Sequence, residues 1–232
     1  MLKIILLIVV IMVETIPAQS IDNANFTCGK STISYAGQTY HTVQIGSQCW
    51  LVENLNVGTM IDSMQEQTNN GVIEKYCYHD DPANCIAYGG LYQWGEAVKY
   101  QNGTTNTHTA NPAFTGNVQG ICPSGWHIPN QIEFDSLAIT VNYNGSALKS
   151  MGQEFAQYKG ARTIISGFSA LLAGSRNNDG HFYWLGVLAN FWSSTEYDAV
   201  DAYYWYLVSY DSGIHCIITN KVHGFSVRCM KD

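Results

Sequence analysis

The sequence predicts a single α+β domain stapled by disulfides, with two or three short helices early in the chain and a mostly antiparallel sheet late. Three observations favour this fold class. Helical patterns occur before residue 151, whereas the chain beyond residue 164 is aromatic and β-prone. Seven cysteines follow an N-terminal segment typical of exported proteins. Neither an internal repeat nor a clean linker divides the 232 residues.

The N-terminus carries the pattern of a secretory signal peptide. Lys3 is followed by an unbroken apolar run of ten residues, 4–13. Because a membrane-spanning helix needs roughly 20 apolar residues, this run is typical of the hydrophobic region of a cleaved signal. We place cleavage after Ala18, which gives a signal peptide of residues 1–18 and a secreted or cell-surface protein. An uncleaved membrane anchor is the alternative.

Composition excludes some partners. The formal net charge is -7, and only 11 basic residues occur, none of them in a run. Nucleic acid is therefore excluded as a partner, because backbone phosphates require clustered Lys and Arg. No membrane insertion is expected after signal cleavage. Charged residues are only 12% of the chain, so the surface must be largely uncharged and polar, as in extracellular proteins that bind glycans or other proteins.

Short strands are predicted in the first part of the chain. Residues 35–40 carry a turn between two β-prone ends, and residues 41–45 alternate polar and apolar side chains as a half-buried strand does. A turn at 46–48 leads into another strand at 49–52. Residues 57–75 are polar and predict a surface loop.

Helices are predicted in the middle of the chain. Residues 89–100 place apolar side chains on one helical face, and the Asn-, Thr- and Gly-rich residues 101–119 predict an exposed loop. A clearer helix begins after Asn130, which can cap it while Glu133 returns the contact. Its apolar face consists of Phe134, Leu137 and Val141. A short further helix is predicted around residues 146–151.

The late part of the chain predicts the sheet. Candidate strands are residues 168–172, 182–185, 191–194, 202–210 and 225–230. Every residue from 203 to 208 is large, so both faces of that strand should be covered.

Two cysteines suggest a local bridge. Cys77 and Cys85 bracket seven residues, and the Asp-Pro pair between them favours a tight turn. An exported protein favours a disulfide here. A metal site is the alternative, because His79, Asp80 and Asp81 lie between the two sulfurs.

Six stretches resemble one known family. They are VQIGSQCWLVENLNVGTMI (43–61), YCYHDDPANCIAYGGLYQWGEA (76–97), GICPSGWHIPNQIEFDSL (120–137), GFSALLAGSR (167–176), FWSSTE (191–196) and GFSVRCMKD (224–232). In this order they resemble the Fibrobacter succinogenes major paralogous domain, a family of exported bacterial domains. The resemblance covers residues 34–232 and leaves 19–33 as a short polar lead. It implies a fold similar to C-type lectin-like domains and to the sulfatase-modifying fold, but no function.

The same resemblance implies a long-range bridge. In C-type lectin-like folds a disulfide joins the first helix region to the last strand, which pairs Cys122 with Cys229. Cys28 and Cys49 flank the first predicted hairpin and make the third pair. Cys216 is left over as a free thiol. Burial, competition with a neighbouring cysteine and a cross-link to another chain are the alternatives for it.

Catalysis is the weaker expectation. An enzyme related to sulfatase-modifying factors would need a reactive cysteine pair, and Cys229 already belongs to the structural bridge. His215 lies beside Cys216, but neighbours on a strand point to opposite faces. Glu196 and Asp198 are close enough in sequence to suggest paired carboxylates, although they lie in a framework motif of the family. We name no catalytic residue.

The predicted function is a binding or adhesion module whose ligand is an extracellular glycan or protein. The loop from 175 to 190 is its expected site, with Asp179, Tyr183 and Trp184 as contact residues and Glu196 and Asp198 nearby. The alternative for these residues is that Trp184 belongs to the core and Asp179 only closes a turn. No cofactor is predicted, and calcium lacks its usual lectin tripeptides. A structural role in the cell envelope is the alternative function.

Overall fold

A computed structural model describes residues 26–151 and 166–232. The predicted signal peptide lies outside the described residues. Within the part of the chain that is described, no helix is both long and apolar enough to cross a membrane. The order of elements is strand-rich at both ends with the helices between them, in agreement with the predicted α+β class.

The chain opens with three antiparallel strands, β1 (Thr32–Tyr35), β2 (Gln38–Ile45) and β3 (Gln48–Leu51). Ala36 and Gly37 form the first turn, both with positive φ, which is the conformation that a two-residue hairpin requires. The predicted strands and turns of this region are therefore confirmed.

A five-stranded sheet joins the two ends of the chain. Its order is β1-β2-β3-β12-β6, where β6 is Trp126–His127 and β12 is Met230–Lys231. Met230 pairs with Trp50 on one side and with His127 on the other. The last residues of the chain thus complete the sheet that the first strands begin, so only part of the sheet structure is late.

The late strands form a three-stranded antiparallel sheet of order β11-β10-β9. Its strands are β9 (Leu188–Glu196), β10 (Asp201–Val208) and β11 (His215–Asn220). The strands predicted at 191–194 and 202–210 are confirmed, whereas β11 was not predicted. Residues 168–172 form only an isolated bridge at Ala170 instead of the predicted strand.

Two pairs of very short strands complete the sheet structure. A parallel pair, β4 (Thr59–Met60) and β5 (Glu74–Lys75), lies within the predicted surface loop. An antiparallel pair, β7 (Ser175–Arg176) and β8 (Phe182–Tyr183), forms a small hairpin.

Among the described residues, three α-helices lie between the strands: α1 (Pro82–Tyr88), α2 (Trp94–Ala97) and α3 (Gln131–Thr140). The α3 prediction is confirmed in detail, because Asn130 and Glu133 form the reciprocal capping box. The sequence did not predict α1, which Asp81 caps by accepting a hydrogen bond from the Ala83 N–H.

Two helix predictions were too long. The predicted helix over 89–100 is one turn, because Leu91 and Tyr92 pair in β-bridges with Tyr76 and Phe225. The backbone hydrogen bonds of these residues are therefore used outside a helix. The helix predicted near residues 146–151 is a single 3-10 turn, Gly145–Ala147.

All three predicted disulfides are present: Cys28–Cys49, Cys77–Cys85 and Cys122–Cys229. The last one closes a sequence separation of 107 residues. It ties the segment before α3 to the residue before β12.

Aromatic side chains fill the two larger of three hydrophobic clusters in the described residues. In one, Trp50 packs on Phe134 and Phe168 between α3 and the three-stranded sheet. In the other, Trp94 and Trp192 are fully buried, and each indole N–H donates to a backbone carbonyl. Satisfying these donors allows the rings to be buried without loss of hydrogen bonding.

Candidate functional site

The β7–β8 hairpin carries two of the predicted contact residues, Asp179 and Tyr183, and the third follows it directly. Its turn is closed by Asp179, whose Oδ1 accepts a hydrogen bond of 3.0 Å from the His181 N–H. The other oxygen, Oδ2, accepts a bond of 2.7 Å from the Tyr183 hydroxyl. These two bonds hold the pKa of Asp179 below its usual value and raise the pKa of Tyr183. The structure thus brings Asp179 and Tyr183 together as an ionised acceptor and a neutral donor.

Trp184 follows the hairpin and points into solvent. It is 57% exposed, so it is not a core residue, and its φ is +68°. A bulky residue is strained in this left-handed region. The surrounding backbone enforces the conformation, because the Trp184 carbonyl accepts hydrogen bonds from both Val187 and Leu188. The chain therefore holds a large indole at the surface in a fixed and unfavourable backbone geometry.

The base of the hairpin is well supported. Phe182 packs on Tyr78, in the segment that the Cys77–Cys85 bridge closes. Arg176 is fully buried and donates to the carbonyl of Ser63 at 2.7 and 2.9 Å. It also forms an ion pair with Glu66 at 2.8 Å. These contacts fix the hairpin against the rest of the domain.

Met64 extends the same surface. It is 65% exposed, and its sulfur lies 2.5 Å from where a β-carbon on Gly180 would stand. The turn favours glycine because its φ is +81°, whereas the exposed Met64 side chain could move away from a β-carbon. We call Met64, Asp179, Tyr183 and Trp184 the hairpin surface.

Glu196 and Asp198 occupy a different place. Buried Lys221 donates to Glu196 Oε1 at 2.5 Å and to the Asp198 carbonyl at 2.7 Å, and its ammonium lies 4.6 Å from the centre of the Trp94 ring. The Asp198 carboxylate accepts from the N–H groups of Val200 and Asp201, which lower its pKa. Asp198 therefore closes the β9–β10 turn. No hydrogen bond or ion pair joins these two carboxylates to the hairpin surface within the described residues.

A cleft beside Glu196 was missed by the sequence analysis. It has a volume of about 300 Å³ and is lined by the segment 113–118, Asn130 and residues 194–196. The segment 101–119 was predicted to be an exposed loop, but Thr104 and Val118 are buried. The Thr104 hydroxyl lies 3.3 Å from Glu196 Oε1. Because the two residues are far apart in the chain, no local pattern in the sequence predicts this contact.

Cys216 is free and exposed on β11. Its sulfur lies 4.0 Å from the Gln131 amide nitrogen, whereas the neighbouring His215 bonds to Asp211 at 2.6 Å and stacks on Tyr206. The two side chains are therefore directed to different partners. Partial burial of the sulfur raises the pKa of Cys216 to about 11. A thiol that is hard to ionise is a poor nucleophile at neutral pH.

The residues between Cys77 and Cys85 are engaged in structure. Both sulfurs form the disulfide, Asp80 accepts from the Ser63 N–H and hydroxyl, and Asp81 caps α1. Across residues 26–151 and 166–232, no group of three or more His, Cys, Asp or Glu residues is arranged to hold a metal ion.

Comparison with known proteins identifies the family. No curated protein and no solved structure matches the chain. A family model, the Fibrobacter succinogenes major domain, matches residues 43–231, which is well over half of the chain. The chain therefore belongs to the Fibrobacter succinogenes major domain family.

Proposed function

We propose that this protein is a secreted or cell-surface binding module that recognises glycans through the hairpin surface. The observation that carries the proposal is Trp184, an exposed indole on a backbone that its neighbours hold in a strained conformation. A strained residue persists only where the surrounding structure holds it in place, and such residues cluster at ligand-binding sites.

The chemistry of the surface suits a sugar. An exposed indole offers a flat apolar face against which the C–H face of a sugar ring can pack. Beside it, the Asp179 carboxylate has lone pairs beyond the two that His181 and Tyr183 use. A sugar hydroxyl could donate to these oxygens. Because the partners are already oriented, little conformational entropy would be lost on binding.

Two further features support an extracellular role. Three disulfides are typical of proteins that fold in oxidising compartments. The link from the segment before α3 to the last strand is also the link implied by a C-type lectin-like fold. We include that fold, and export by the signal peptide, in the proposal.

A glycan array probed with the mature protein tests the proposal. We expect reproducible binding to a subset of glycans. Asp179→Asn keeps a turn-closing oxygen, and Tyr183→Phe keeps the ring, so both variants should retain the thermal midpoint. Each should weaken binding about fivefold, the scale of one hydrogen bond. Binding to no glycan would contradict glycan recognition. Unchanged binding by both variants would place recognition outside the hairpin surface.

A structural role in an extracellular assembly is the second candidate. It is favoured by one observation: Cys216 is exposed on β11, which is an edge strand of its sheet. Size-exclusion chromatography with and without a reductant distinguishes the two. A reductant-sensitive oligomer that Cys216→Ser abolishes would support assembly, and a monomer under both conditions would remove it.

A further inference from the structure

The cleft beside Glu196 lies between three parts of the chain. Residues 113–118 form one wall, Asn130 at the start of α3 forms the second, and residues 194–196 at the end of β9 form the third. Its volume of about 300 Å³ is at the lower end of the range for small-molecule sites. The cleft therefore fits a single small ring.

Two side chains in the cleft have unused hydrogen-bonding groups. The Ser194 residue is only 6% exposed, yet its hydroxyl makes no hydrogen bond within the described part of the chain. Asn130 uses its carbonyl oxygen to cap α3, at 3.1 Å from the Glu133 nitrogen, which leaves its NH₂ group without a partner among the described residues. Neither group is among the fully buried polar atoms that lack a partner, so both are open to solvent and can donate to a ligand.

A third group is half used. The Thr195 hydroxyl accepts a hydrogen bond of 2.9 Å from the Gln131 N–H. Its own proton has no acceptor in the described residues, so the hydroxyl can still donate. Thr195 lines the cleft together with Ser194 and Asn130.

The acceptor in the cleft is Glu196, and its charge is balanced. Oε1 faces the Lys221 ammonium at 2.5 Å, and Oε2 accepts a bond of 3.2 Å from the Ala110 N–H. Lys221 is fully buried, and the described residues that line the cleft include no Lys, Arg or His to hold an anionic ligand. A cationic ligand would find a carboxylate that is already neutralised. The electrostatics therefore favour an uncharged ligand with hydroxyl groups.

The remaining wall is apolar. Phe114 is held against the Trp94 ring, with ring centroids 6.2 Å apart, and buried Val118 also lines the cleft. A ring with one apolar face and several hydroxyls matches this combination of surfaces.

We propose that this cleft is a second ligand site, which binds a small, uncharged, polyhydroxylated ring such as one monosaccharide unit. The site shares no residue with the hairpin surface, so the proposal does not depend on the proposed function.

NMR titration of the ¹⁵N-labelled protein tests this site. The probes are free glucose, galactose, mannose and N-acetylglucosamine, each up to about 50 mM, a range that detects affinities near the millimolar scale. At least one sugar should shift the amide signals of Phe114, Asn130 and residues 194–196 in a saturable manner. If none of the four sugars shifts these signals, the proposal is wrong.

Three variants locate the binding. Ser194→Ala should weaken it about fivefold, the scale of one hydrogen bond. Asn130→Asp removes the NH₂ donor but keeps an equally good helix cap, so it should weaken binding without unfolding α3. Ala113→Phe places a ring in the cleft and should abolish binding. Shifts at these residues that survive Ala113→Phe would overturn the proposal.

Two controls separate this site from the hairpin surface. Asn144→Asp makes the same change at another capping asparagine, which accepts from the Ser146 N–H, and should leave the sugar affinity within twofold. Trp184→Ala should also leave it within twofold. If Trp184→Ala removes the shifts in the cleft, the two surfaces are one site and the inference of a second site is wrong.

Discussion

Replacement of Glu96 by glutamine should remove a pH-dependent loss of stability. Glu96 is only 2% exposed. Its Oε1 accepts a hydrogen bond of 3.2 Å from the Glu74 N–H, but its buried Oε2 has no hydrogen-bond partner. The buried Tyr100 hydroxyl beside it also lacks a partner of acceptable geometry. Burial raises the pKa of Glu96 from 4.5 to about 7, and the Glu74 N–H only partly opposes this.

The size and sign of the effect follow from that pKa. The folded protein holds the Glu96 proton more tightly than the unfolded chain does, so stability falls as the pH rises from about 4.5 to about 7. A rise of this size corresponds to about 3 kcal/mol, and solvent screening reduces it to about 1 to 3 kcal/mol. Glutamine carries no charge, keeps the acceptor for Glu74 and adds an NH₂ group near Tyr100. Glu96→Gln should therefore be more stable than the wild type above pH 7.

Urea unfolding with the disulfides intact, measured from pH 4 to pH 9, checks this prediction. The difference in free energy of unfolding between Glu96→Gln and the wild type should grow by about 1 to 3 kcal/mol between pH 4.5 and pH 7, and then stay level. A difference that is constant across this range to within about 0.5 kcal/mol would show that Glu96 titrates normally, and the reasoning from burial would be refuted.

Three other predictions concern charge and cysteine. His127 bonds to Glu133 and, at 2.6 Å, to Asp232. The two carboxylates together outweigh the effect of burial and raise the pKa of His127. The stability that this gives is present below pH 6.5 and is lost as the pH rises through the raised pKa. Asp232→Ala should lower the His127 pKa in an NMR titration, and an unchanged pKa would contradict the assignment. Replacing both Cys122 and Cys229 by serine should lower the free energy of unfolding in urea by about 5 kcal/mol. This is roughly twice the loss expected on removing the shortest bridge, Cys77–Cys85, because a longer closed loop restricts the unfolded chain more. Equal losses would contradict this explanation. Cys216 should be alkylated about tenfold more slowly at pH 7.5 than a free cysteine peptide, because its raised pKa leaves little thiolate; an equal rate would show that the sulfur is not desolvated.

The features that the sequence predicted are encoded locally. The α3 cap depends on Asn130 and Glu133, three positions apart, and the first hairpin depends on a turn at Ala36 and Gly37. In these two cases neighbouring residues alone decide the backbone conformation. The disulfides are different: Cys122–Cys229 spans 107 residues and was predicted from the family resemblance, not from a local pattern.

The features that it missed depend on distant contacts. Leu91 and Tyr92 have a helical pattern, but partners at Tyr76 and Phe225 take their backbone hydrogen bonds. The cleft joins residues 113–118 to residues 194–196, about 80 positions away in the chain. No local pattern reports such a contact.

Trp184 shows the same limit within the predicted site. Aromatic residues at 182–185 predict a strand, and a strand alone does not show which of them face the solvent. The turn that holds Trp184 at a positive φ is formed with Val187 and Leu188, whose N–H groups donate to its carbonyl. The sequence could name the residue but could not choose between the surface and the core.

The central claim is that Trp184 contacts the ligand, and one comparison of affinities tests it most directly. Trp184→Ala and Tyr143→Ala both remove an exposed aromatic residue with positive φ, since Tyr143 is 59% exposed with a φ of +56°. Their affinities are measured by biolayer interferometry on the glycan that binds the wild type most tightly, after equal thermal midpoints have been verified. Trp184→Ala should lose at least about tenfold in affinity, equivalent to about 1.4 kcal/mol, while Tyr143→Ala stays within twofold. Equal affinities for the two variants would contradict the account.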